Sequence, residues 1–192
     1  MKSLFAVLIS LSLVSMLGTA AHAAASEKDC TESAKLFRDA GESSAYFGQS
    51  YGYAIFPTIG KAGLGIGGAH GSGCVFAGGK MVGTTKMTQL SFGWQAGAQG
   101  YSLIIFFEDE RAFREFTSGN FEFGAQASAV AITAGASAGA GTGGTTAGAS
   151  GGKKDAATVG GYQKGVAPFS IVKGGLMYEA ALSGAKFSYS PL

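Results

Sequence analysis

The chain has 192 residues, 33 of them glycine, with 46% aliphatic and aromatic residues and only 14% charged ones. Average soluble domains carry about 7% glycine and about 25% charge, so a charged, disordered chain is excluded. Two cysteines and three prolines exclude a disulfide scaffold and collagen, and a net charge of +2 excludes nucleic-acid binding through bulk electrostatics.

Met1-Lys2-Ser3 makes a short positive start, Leu4 to Leu17 is apolar apart from serines, and Ala21-His22-Ala23 supplies an A-x-A cleavage signature. Residues 1–23 therefore read as a secretory signal peptide. The apolar run is shorter than the roughly 20 residues that span a bilayer. Cys30 follows Glu27-Lys28-Asp29 instead of small residues, so no lipid anchor is expected. The predicted compartment is periplasmic or extracellular, on the envelope membrane at most as a peripheral protein, and oxidising. Cys30 and Cys74 are the only thiols; they either form a disulfide or lie buried apart, and the sequence leaves both open.

Residues 24–50 form an N-terminal helical segment, with Cys30, Ala34, Phe37 and Gly41 at three- and four-residue spacing. This thin stripe suits packing on the domain better than lying on a membrane. Residues 51–192 form the main domain. Tyr53 to Phe56 is a short apolar run closed by Pro57. In Ala62 to Ala69, Gly63, Gly65 and Gly67 share one strand face and Leu64 and Ile66 the other. Such a bare face permits a sharp bend or a close backbone approach. Gly78-Gly79 marks a turn, Met81 to Trp94 a long strand, and Ser102 to Phe107 a strand covered on both faces. Glu108-Asp109-Glu110 opens a helix whose stripe is Ala112, Phe113 and Phe116, with Glu110 and Arg114 placed to pair and Gly119-Asn120 to stop it. Phe121 to Ile132 returns to period two. Gly135 to Gly152 is low-complexity and reads as a mobile loop, extending to Asp155. Val166 to Val172, Leu176 to Leu182 and Ala185 to Tyr189 follow, separated by hairpin-like Gly174-Gly175 and Ser183-Gly184. The expected fold is α+β: a glycine-rich, mostly antiparallel sheet, with a barrel-like curl as one outcome, one N-terminal helix and one inserted helix.

Catalytic patterns fail on chemistry. Gly63-x-Gly65-x-x-Gly68 and Gly139-x-Gly141-x-x-Gly144 match a dinucleotide fingerprint, but neither opens a helix that would hold a pyrophosphate. The serine patterns at Ser137 and Ser150 need a later histidine, and His70, the only one outside the leader, precedes both. One histidine builds no zinc site. Glu108, Asp109, Glu110 and Glu115 read as a helix start and a solvated face, not as a facing carboxylate pair. No enzyme, metal or cofactor is expected. Gly135, Gly139 and Gly143, then Gly144, Gly148 and Gly152, resemble a glycine zipper. The zipper supports the alternative of a structural envelope protein, a homo-oligomer built through that segment. An outer-membrane barrel is disfavoured because Ser102 to Phe107 does not alternate.

Three separated blocks carry a resemblance: YGYAIFPTIGKAGLGIGGAHGSG (51–73), SFGWQAGAQGYSLIIFFEDERAFREF (91–116) and KGGLMYEAALSGAKFSY (173–189). Together they resemble the SYLF-domain family, a lipid-binding module also described as actin-binding in fungi. The resemblance implies a non-enzymatic, membrane-associated module that binds phospholipid or a membrane surface. Secretion argues against actin, and no nucleic-acid partner is implied. Each Lys or Arg near an anionic surface contributes about 1 kcal/mol, and a lipid site readable from sequence needs a larger basic cluster than Lys153-Lys154. A headgroup pocket or an apolar insertion is therefore expected. Lys35, Arg38 and Lys61 are the candidate basic contacts, against the plainer reading of ordinary surface charges.

Overall fold

The computed structural model describes residues 25–124, 127–132, 161–173 and 180–192. The leader, the Gly135–Gly152 segment with its zipper, and Gly174-Gly175 lie outside the described residues.

Three helices open the described chain: α1 (Glu27–Asp39), α2 (Gly41–Ser44) and α3 (Tyr46–Gln49). Ser26 caps α1, its hydroxyl accepting from the Asp29 amide, and acidic Glu27 and Asp29 occupy the first turn. Cys30, Ala34 and Phe37 are buried, so the thin stripe packs on the domain. Where one N-terminal helix is expected, Ala40 in extended conformation breaks the segment after α1.

Two long strands follow, β1 (Gly52–Ala77) and β2 (Lys80–Phe107), joined at Gly78-Gly79. Both turn glycines have positive φ, +56° and +77°, as a two-residue hairpin turn requires. Pro57 does not close the first strand. Pro57 and Thr58 together oppose Ser102, where the β1–β2 register shifts between Phe56 and Ile59. A bulge tolerates a residue without an N–H. The buried Ser102 hydroxyl donates to the Pro57 carbonyl at 2.7 Å. Likewise Met81 to Trp94 and Ser102 to Phe107 are one strand, β2.

After β2 come α4 (Glu110–Thr117), β3 (Phe121–Glu122), β4 (Ser128–Ile132), β5 (Val166–Lys173), β6 (Ala180–Ala181) and β7 (Lys186–Pro191). Asp109 caps α4, accepting from the Ala112 amide at 2.8 Å, and Arg114 donates to Glu110 at 2.6 Å. An Asp109→Ala variant should lose about 1 kcal/mol of stability in urea titration, the usual worth of such a cap.

The described strands form one curled sheet in the order β3-β7-β2-β5-β4-β6, with β1 on the other edge of β2. All pairings are antiparallel except β4 with β5. This is an α+β fold built on a half-barrel. Among the described residues the C-terminal runs do not pair as successive hairpins. β4 lies between β5 and β6, while β7 crosses to pair with β2 and β3. Burial accounts for this: Val166, Ala167, Phe169 and Ile171 are all buried, and β5 gains apolar partners on both edges, the β2 segment Gly100–Phe107 on one and β4 on the other.

Two cores lie on opposite faces of β2. Leu103, Ile105 and Phe107 join Phe56, Phe116 and Phe187 inside the curl. Ile104 and Phe106 join Phe37, Phe169, Cys30 and Cys74 under the N-terminal helices. Ser102 to Phe107 is thus covered on both faces. The ring contact between Phe56 and Phe187, centroids 5.6 Å apart, joins distant strands across the interior and seals the curl.

β1 is doubled back on itself. A Cβ at Gly63 would run into the Gly67 backbone, with the Ile66 carbonyl at 2.8 Å. Beyond this bend the two arms of the strand face each other. A Cβ at Gly71 would lie 2.7 Å from Ile59 Cγ1, and one at Gly73 would lie 2.8 Å from the Phe56 ring. The bare face read from the sequence supplies the bend at Gly63 and Gly67, while Gly71 and Gly73, outside that reading, supply the close approach of the arms.

Candidate lipid-facing trough

The doubling of β1 leaves a trough along its outer side. One part is a groove of about 810 Å³ between α1 and the two arms of β1. Asp29, Glu32, Ser33 and Leu36 form its helical wall, and Thr58, His70, Ser72 and Lys173 contribute from the sheet. The four helical positions are spaced i, i+3, i+4 and i+7, a face separate from the Cys30–Ala34–Phe37 stripe. The second part, about 650 Å³, is lined by Lys61, Thr88, Gln89 and Leu90, and the two parts share Gly60 and His70.

Side-chain partners fix this surface. Lys173 Nζ donates to Thr58 Oγ1 at 2.9 Å, which holds its charge against the sheet. The Gln89 amide donates to the Ala181 and Ser183 carbonyls, both at 2.9 Å, and ties β6 and the turn after it to β2. Asp29 accepts from the Ser26 hydroxyl at 2.6 Å. Glu32 meets Lys28 only at 3.8 Å in an exposed pair, worth little in water. Ser33 is only 5% exposed, and its hydroxyl has no hydrogen-bond partner among the described residues.

Large apolar side chains stand out beside the trough. Ile66 is 67% exposed and Leu90 73%. Gly68 is the register partner of Leu90, and Ile66 lies two residues before Gly68 on the same strand. Ile66 and Leu90 therefore share one sheet face.

Away from the trough, burial raises the Tyr101 phenol above its ordinary range. The Tyr162 phenol is pushed up to about 12, chiefly by burial and further by Tyr46 and Glu108. Both stay neutral near neutral pH and serve as packing groups, not as acids or bases.

The basic candidates are not gathered into one site. Lys61 lines the trough. Lys35 is paired with Asp39 at 2.8 Å, and Arg38 lies over the Phe47 ring at 4.6 Å. Neither is among the α1 residues lining the groove. Cys30 and Cys74 are joined as a disulfide that fixes α1 to β1. The acidic wall of Asp29 and Glu32 was not among the sequence candidates, which were chosen for positive charge. Their shared spacing with Ser33 and Leu36 was the available signal.

The site is a curled sheet with a partly polar, partly apolar trough. Residues 88–190, more than half the chain, match the family model described as Ysc84, Las17-binding protein actin regulator. The chain belongs to this family, the SYLF-domain family. It is a family of binding modules known for lipid and actin binding. The match begins at Thr88 and so contains the second and third blocks quoted above, but not 51–73. No curated protein matches the chain.

Proposed function

We propose that this protein is a non-catalytic, membrane-associated phospholipid-binding module of the cell envelope, periplasmic or secreted. The observation that carries this reading is the exposed Ile66–Leu90 pair beside the Lys61-lined trough. Burying one such side chain contributes about 1.5–3 kcal/mol. One lysine at an anionic surface adds about 1 kcal/mol. Apolar insertion therefore outweighs surface charge here, and attachment should resist salt. The reading is further supported by the family, and the envelope location by the Cys30–Cys74 disulfide, because disulfides persist in oxidising compartments. Among the described residues no helix is long and apolar enough to cross a membrane.

The test is co-sedimentation of the purified protein with phospholipid vesicles. An Ile66→Asp/Leu90→Asp variant should lose about 3 kcal/mol of attachment, roughly 100-fold in affinity. Absence of sedimentation with every vesicle composition, or unchanged binding by a folded double variant, would reject the reading.

A further inference from the structure

We propose that the groove between α1 and the two arms of β1 is a headgroup site selective for a zwitterionic phospho-ammonium group, the chemistry of phosphatidylethanolamine, over a purely anionic one. This inference rests on the phospholipid reading above and gives it a ligand class.

The argument is charge complementarity across a narrow space. The α1 wall carries two carboxylates three residues apart, Asp29 and Glu32. The sheet contributes Lys173, anchored by Thr58. A purely anionic headgroup would be drawn to Lys173 but repelled by two carboxylates. A simple cation would meet the reverse. A molecule with an ammonium and a phosphate on one short linker satisfies both sides at once.

The carboxylates keep acceptor capacity for an ammonium. Asp29 accepts one hydrogen bond from Ser26, and among the described residues Glu32 forms one ion pair, the long, exposed one with Lys28. A second, independent feature points to a ligand. Ser33, in the same wall, is nineteen-twentieths buried with a hydroxyl unpartnered among the described residues. Such a group is costly to leave without a partner, and a phosphate or ester oxygen entering the groove would accept from it. Leu36, 52% exposed, lines the groove, and Leu90 lines the adjoining part of the trough, the two parts meeting at Gly60 and His70. Acyl chains can lie against these two side chains while the headgroup stays between α1 and the sheet.

Vesicles of phosphatidylcholine with phosphatidylethanolamine are compared with vesicles of phosphatidylglycerol, using the whole protein and an Asp29→Asn/Glu32→Gln variant. These substitutions keep side-chain shape, and circular dichroism checks the fold. The expected result is at least about tenfold tighter binding to the zwitterionic vesicles, a preference erased in the variant. Lys173→Met should weaken the zwitterionic binding. Soluble phosphoethanolamine should displace the protein from these vesicles. Binding of phosphoethanolamine without any vesicle binding would keep the groove as a site for the free zwitterion and reject the membrane reading. Vesicle binding that shows no headgroup preference, or a preference unchanged in the variant, overturns the headgroup assignment and leaves membrane attachment standing. Binding to neither vesicles nor phosphoethanolamine rejects both.

Discussion

Gly73→Val is expected to cost at least about 3 kcal/mol, enough to unfold a marginal domain near room temperature. The side chain would enter the space where the two arms of β1 cross. There a Cβ meets the Ile55 carbonyl and lies 2.8 Å from the Phe56 ring. Phe56 is fully buried and in ring contact with Phe187, so it cannot step aside without opening the curl. Gly60 is the control. It lies in the same strand, but a Cβ there meets nothing within 4 Å, so Gly60→Ala should change stability by no more than about 0.5 kcal/mol. Urea titration of both variants distinguishes close approach from a general penalty on altering glycine in this strand. Equal effects at the two positions would refute the doubled-strand geometry.

Removing the Cys30–Cys74 bond should have the second large effect. The bond closes a loop with a sequence separation of 44 residues. Loop-closure entropy for that length gives about 4 kcal/mol, lost on reduction or in a Cys30→Ala/Cys74→Ala variant. Both cysteines are fully buried in the core beneath the N-terminal helices, so the alanines add a packing loss. Because the tether joins α1 to β1, the first region to loosen should be the one that frames the trough. Hydrogen exchange should show residues 27–49 losing protection before β2. Denaturation midpoints unchanged by a reductant shown to cleave the bond would contradict this account.

Much of the local structure was legible because short-range chemistry decides it. Gly78-Gly79 gave the turn, Glu108-Asp109-Glu110 gave the helix start, and the unbroken run from Ser102 to Phe107 gave a strand buried on both faces. The failures share a cause, since each depended on a distant partner. Pro57 looks like a terminator until Ser102 is found beside it. The C-terminal runs look like successive hairpins until burial sends β5 beside β2 and β4. For the site, residue type pointed to Lys35 and Arg38, whereas helix phase gives the groove face to Asp29, Glu32, Ser33 and Leu36. Only Lys61 of the three basic candidates lines the trough.

β2 serves three neighbours at once, β1 along one edge and β5 and β7 along the other. An insertion of a single residue within Gly100–Phe107 would invert the facing of every side chain beyond it relative to two partners, exchanging the contents of both cores. Divergence in chain length should therefore be barred from this rod and gather where it already has slack, at the offset between Leu64 and Gly65 and in the connections outside it.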